Sequence, residues 1–240
     1  MNLVKQSLQS LPLLGALALT GGLAHAEIAH VTADNHYAIY YGLADGSNLT
    51  LMGRNEITDV GSSGGNAWTN PETWNYVTPG ANYRLYVVAW DDGGQQMWGG
   101  DFTSPSGTKL SDTTNWQSWV STGSNDNPVN NGGALPLVTT LAAQITSANS
   151  TGWGGINAST NNGASPWGMI AGINPAAQFI WHDTLDATSS SDTHYVIYRS
   201  TFAVPETSPG WGLAAFAGAA LGFRLWQQKR RASAATAKTA

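Results

Sequence analysis

Residues 83–90 read "YRLYVVAW", a run in which aromatic and β-branched side chains dominate and no turn former intervenes. Such side chains fit a pleated, largely buried strand. Thr78-Pro79-Gly80 precedes the run and Asp91-Asp92-Gly93-Gly94 follows it, so turn chemistry limits it to strand length on both sides. Working outward, residues 36–42 ("HYAIYYG") predict a half-buried strand, entered through Asp34-Asn35 and left through Asp45-Gly46, with residues 48–53 ("NLTLMG") as its hairpin partner. Residues 74–77, 178–181 and 194–202 ("HYVIYRSTF") predict further strands. One segment has helical spacing: within 135–148, Leu135, Val138, Leu141, Ala142 and Ile145 fall on one stripe. Residues 61–66, 121–133 and 150–166 are rich in Gly, Ser and Asn and predict loops. No internal repeat marks propeller blades, so the expected class is all-β, an antiparallel β-sandwich of jelly-roll-like form with one short helix.

Composition narrows the function classes. A chain of 240 residues, 42% hydrophobic, supports one substantial core. With no cysteine, disulfides, Cys-ligated zinc, iron–sulfur centres and a Cys nucleophile are excluded. Between Glu27 and Glu206 only Arg54, Arg84, Lys109 and Arg199 are basic, against all 15 acidic residues, a formal charge of −11. Such a surface repels phosphate backbones, so nucleic acid is not an expected partner.

Both ends carry address-like patterns. Lys5, the apolar run 11–23 and Ala24-His25-Ala26 have the order of a signal peptide, predicting residues 1–26 as the leader with cleavage before Glu27. Residues 210–226 form an apolar stretch at the lower length limit of a transmembrane helix, and Arg224, Lys229, Arg230 and Arg231 cluster at its far end as a cytoplasmic flank. Val204-Pro205-Glu206, then a short Gly/Ala/Leu helix, then the basic cluster, over residues 204–231, resembles the PEP-CTERM sorting signal. Thr207 stands where that family's motif has its second proline, and residues 232–240 extend past the basic cluster as a polar tail. The resemblance implies transient anchoring in the inner membrane, recognition by an exosortase, and delivery to the cell surface or an exopolysaccharide matrix; an unprocessed single-pass anchor is the alternative.

The body, residues 27–203, carries a second resemblance. "DNHYAIYYG", "TPGANYRLYVVAWDDGG", "FIWHDTL" and "THYVIYRSTFAVP" follow the order of elements in galactose-binding-like jelly-roll domains, with Arg199 and Phe202 matching the last-strand pattern. The resemblance implies the sandwich fold and permits, without specifying, a sugar ligand.

Two constellations are candidates for chemistry. In "AWDDGGQQMWGGDF", Asp91, Asp92 and Asp101, joined by Asp34 if the strands are neighbours, offer the oxygen ligands that Ca²⁺ takes; a simple polar turn is the alternative. Trp68, Trp98, Trp153 and Trp167 sit in Gly- and Asn-rich surroundings and are candidate platforms for sugar rings, or else they close the mouth of the sandwich. Trp90 and Trp181 lie in apolar strands and are expected in the core. For hydrolysis, His182-Asp183 and His194 flank the Ser-rich turn 186–192, but no Gly-x-Ser-x-Gly elbow and no His-x-x-x-His pair is present. The expected function is non-catalytic polysaccharide binding, with a structural or adhesive role and a polysaccharide hydrolase as rivals.

Overall fold

The computed structural model describes residues 27–55, 67–80, 82–128, 133–185 and 193–204. The predicted leader, the membrane segment and all of the sorting signal except Val204 lie outside the described residues, and among those described no helix is long and apolar enough to cross a membrane.

Eleven strands and one α-helix make up the described body: β1 (Glu27–Asp34), β2 (His36–Leu43), β3 (Thr50–Arg54), β4 (Glu72–Tyr76), β5 (Tyr83–Trp90), β6 (Met97–Ser104), β7 (Gly107–Leu110), β8 (Trp116–Val120), α1 (Val138–Thr151), β9 (Ala158–Asn161), β10 (Gln178–Trp181) and β11 (Val196–Ser200). They form two antiparallel sheets packed as a sandwich. The first runs β4-β1-β6-β10-β9 with β7 also on β6; the second runs β3-β2-β5-β11-β8. The chain alternates between sheets, β1 in the first, β2 and β3 in the second, β4 back in the first, β5 in the second, and onward in the same manner to β11.

The central strand β5 shows why its sequence is apolar throughout. Leu85, Val87 and Ala89 enter the core between the sheets, whereas Tyr86, Val88 and Trp90 face the opposite way and are buried with Leu141 and Ile145 of α1. With a helix covering its outer face, the strand loses the polar half of its alternation. Helix α1 starts three residues later than the predicted stripe; Leu141, Ile145 and Ala148 are its buried residues, and Val138 is exposed at the first turn.

Five strands escaped the sequence reading: β1, β6, β7, β8 and β9. For β6 the reason is glycine. A Cβ on Gly99 would lie 2.7 Å from Phe179 Cδ1, and one on Gly100 would lie 2.5 Å from the His30 carbonyl oxygen. These glycines permit close approach within a sheet, not a turn. Strand β1 was hidden by its histidine and acids, although Ala29, Val31 and Ala33 point inward with a period of two.

Edge strand β3 depends on the same kind of contact. Gly53 faces the indole of Trp74 so closely that an added Cβ would collide with its ring, and the Trp74 Nε1–H donates to Tyr37 Oη, which in turn donates to Glu72 Oε2. Gly53→Ala is therefore expected to displace Trp74 from this chain of hydrogen bonds and to lower stability by about 1–3 kcal/mol in guanidinium unfolding. An unchanged midpoint would show that β3 moves aside at no cost.

A candidate binding groove on the outer face of the first sheet

Residues of β1 that alternate with its core positions, His30, Thr32 and Asp34, face outward, and in register beside them on β6 stand Asp101, Gly99 and Met97. The segment 162–177 folds back over this face. Asn162 organises it: its side-chain oxygen accepts from the Ile170 amide at 2.9 Å, and its Nδ2 donates to the Ile173 carbonyl at 3.2 Å. Trp167, Ile170 and Ile173 then bury their side chains with Met97 and Phe179 in a small apolar cluster outside the main core.

Two polar contacts fasten the segment to the strands. The Trp167 Nε1–H donates to Asp34 Oδ2 at 2.7 Å, and the Asn174 amide donates to Asp101 Oδ2 at 2.8 Å. Burial raises the Asp34 pKa; the bond from Trp167 opposes that rise and the nearby charge of Asp92 adds to it. Beside the second fastening point lies an open groove of about 450 Å³, with His30 and Asp101 on one side and residues 169–175 on the other. His30 Nδ1 is 2.8 Å from Asp101 Oδ1, a contact in which the Nδ1–H donates to the carboxyl oxygen. About a third of the His30 side chain is exposed, and Met169 is 61% exposed on the opposite wall.

The groove thus sets the exposed, apolar Met169 side chain against a polar floor, His30, Asp101 and Asn174. Both Asp101 oxygens already accept hydrogen bonds, so this carboxylate orients the imidazole, and among the described residues no second carboxylate lines the groove. Such a surface suits a ligand that presents C–H and O–H groups on different faces.

The predicted site residues are dispersed around this geometry. Trp98 belongs to β6 and is fully buried between the sheets, against Trp116 at 4.7 Å and Tyr198 at 5.3 Å, which corrects the expectation of an exposed loop platform. Trp167 is buried in the cluster beneath the 162–177 segment, where it anchors Asp34. Trp68, half-buried in the short 3-10 turn Ala67–Thr69, borders the same cluster, and its carbonyl accepts from the Thr32 hydroxyl at 2.7 Å. Trp153 lies on the other sheet, its ring under the Arg199 guanidinium at 4.3 Å. Val204, predicted to open the sorting signal, is packed into the sandwich core, and its amide donates to the Tyr83 carbonyl at 2.8 Å.

The four acids do not surround one point. Asp34 pairs in register with Met97 and Asp101 with His30, so the two carboxyl-bearing residues are separated by about 13 Å along the strands. The oxygens of both accept from protein N–H donors. Asp91 is buried with Oδ2 accepting from the Gly93 amide, and Asp92 is exposed with its own amide bonded to Asn35 Oδ1. Among the described residues no three His, Cys, Asp or Glu side chains group to hold a metal ion, so the joint Ca²⁺ site expected from Asp34, Asp91, Asp92 and Asp101 does not fit this arrangement.

Of the hydrolase candidates, each histidine lies beside an acid. His194 Nδ1 is 3.0 Å from Asp126 Oδ1, and the Ser121 hydroxyl donates to that same oxygen at 2.6 Å. His182 lies 3.2 Å from Asp183, and burial pushes its pKa down. The Ser-rich turn 186–192 is outside the described residues.

His30, Met169 and Asn174 had no site role in the sequence reading. Only the alternation within "EIAHVTAD" offered a signal, since it turns His30 away from the core. Comparison with protein families, curated proteins and solved structures finds no match to this chain.

Proposed function

We propose that this chain is an exported protein of the cell surface or exopolysaccharide matrix whose body binds polysaccharide without catalysis. The observation that carries the reading is the open groove in which the exposed Met169 side chain faces the His30–Asp101 pair. An open trough admits an extended polymer, and its two walls match the C–H face and hydroxyl rim of a sugar ring. The regular alternation of the chain between sheets is in keeping with a jelly-roll-like topology. Export, transient inner-membrane anchoring and exosortase recognition are supported by the leader pattern of residues 1–26 and the order of elements in 204–231.

The test titrates the purified full-length chain, in mild detergent, with neutral and acidic oligosaccharides by calorimetry. His30→Ala and Met169→Ala alter exposed groove side chains and are each expected to weaken binding about tenfold while circular dichroism is unchanged. Binding that survives both substitutions would move the site elsewhere. Failure to bind any glycan would sink the reading and leave the structural or adhesive role in its place.

A further inference from the structure

We propose that the outer face of the second sheet carries an anion-recognising subsite, formed by Arg84, Arg199 and the Trp153 ring, whose ligand is a carboxylate-bearing sugar residue of an acidic polysaccharide. It is independent of the groove, which lies on the other sheet.

Arg199 on β11 stands opposite Tyr86 of β5, and Arg84 lies two residues further along β5 on the same face. Diagonal neighbours of this kind have their Cβ atoms about 7 Å apart, so the two guanidinium groups share one patch. The partners of both are neutral. Arg199 donates from Nη1 to Asn149 Oδ1 at 2.7 Å and from Nη2 to Gln117 Oε1 at 2.8 Å; Arg84 Nη1 donates to the Thr201 carbonyl. Among the described residues neither arginine forms a salt bridge. Asp45, the one carboxylate that acts electrostatically on the neighbouring Tyr86, directs Oδ1 to the amide and hydroxyl of Ser47.

Two of the body's four basic residues are therefore set side by side, half-buried, in a region that supplies hydrogen bonds but, among the described residues, no ion pair to either of them. Burial lowers the Arg199 pKa, Tyr86 opposes that fall, and the like charge of Arg84 adds to it. Paired, partly desolvated cations are unfavourable until an anion joins them. The guanidinium N–H donors that these bonds leave over match the fork of a carboxylate. Trp153 fixes the scale of the ligand: its ring is stacked under Arg199, its Nε1–H is committed to Asn149 Oδ1 at 2.9 Å, and its half-exposed surface adjoins the charge. An apolar ring surface next to a carboxylate receptor fits a sugar acid better than a free inorganic anion. The acidic remainder of the body disfavours non-specific adhesion of polyanions, so binding must depend on this local pair.

Calorimetry on the full-length chain in mild detergent tests this with tri-galacturonate, neutral galactotriose and dextran sulfate. Tri-galacturonate is expected to bind and galactotriose to bind at least tenfold more weakly at this patch. Arg199→Gln and Arg84→Gln are each expected to weaken tri-galacturonate about tenfold or more. Because Arg199 also holds the Asn149 and Gln117 side chains, Arg84→Gln, which releases only a backbone carbonyl, is the decisive variant. Unaltered tri-galacturonate binding in folded Arg84→Gln would overturn the proposal. Dextran sulfate binding as tightly as tri-galacturonate would overturn the carboxylate assignment.

Discussion

Trp98→Ala is expected to lower the stability of this protein by about 4 kcal/mol, the cost of removing a large aromatic side chain from a core that cannot collapse around the gap. The indole has no exposed surface and meets Trp116 and Phe102 edge-on, with Tyr198 tilted against it from the facing sheet. Both sheets would therefore border the cavity. Trp98→Phe is expected to cost much less. It keeps most of the aromatic contact and removes a buried indole N–H that has no hydrogen-bond partner among the described residues. Guanidinium unfolding of both variants measures the difference. A loss below about 1 kcal/mol for Trp98→Ala would mean that the ring does not join the two sheets. The same burial makes this substitution unfit as a probe of sugar binding, since any loss of binding would follow from loss of the fold.

The second large effect concerns pH. Glu27 is the first residue of β1 and points inward with Ala29, Val31 and Ala33; it has no exposed surface, and among the described residues neither carboxylate oxygen has a hydrogen-bond donor. Burial raises its pKa from 4.5 to about 7. The native state thus keeps a proton that the unfolded chain gives up near pH 4.5, and stability is complete below that pH and declines as pH rises toward 7. The integrated loss is about 3 kcal/mol. Glu27→Gln is expected to flatten this part of the profile and to exceed the unsubstituted chain in stability at pH 8, with no advantage at pH 4. Unfolding midpoints of the two full-length proteins at pH 4, 6 and 8 read it directly, and parallel profiles would refute it. A chain cut between Ala26 and Glu27 acquires an α-ammonium on the same residue, which favours the ionised carboxyl, so its pH slope is expected to be shallower.

Legibility in the sequence followed the range of the interactions. The strand β5, the pair β2 and β3, the strand β10 and the helix α1 all announce themselves through neighbours a few residues away, and each lies where residues 83–90, 36–53, 178–181 and 135–148 predicted it within a few positions. β6 did not, because its Gly99 and Gly100 answer to Phe179 and His30, partners distant in the chain. The tryptophans divide on the same ground. Trp98 lies in "MWGGDF", which has the composition of a turn, yet the pairing of β6 with β1 over seven consecutive register positions places its ring in the core. Trp153 and Trp68 do keep part of their surface, as their loop settings implied.

What the sequence by itself determined is the β class, the position of its clearest strands, the acidic charge of the body and the address-like patterns at its ends, all of which depend on composition and on periods of a few residues. Tertiary structure alone decided which residues share a surface. His30 and Asp101 are 71 positions apart, and Trp167 reaches Asp34 across 133. Such meetings follow from the register in which β1, β6 and the covering segment come together, and register is selected by the burial of a whole strand face. Local propensity carries no information about it.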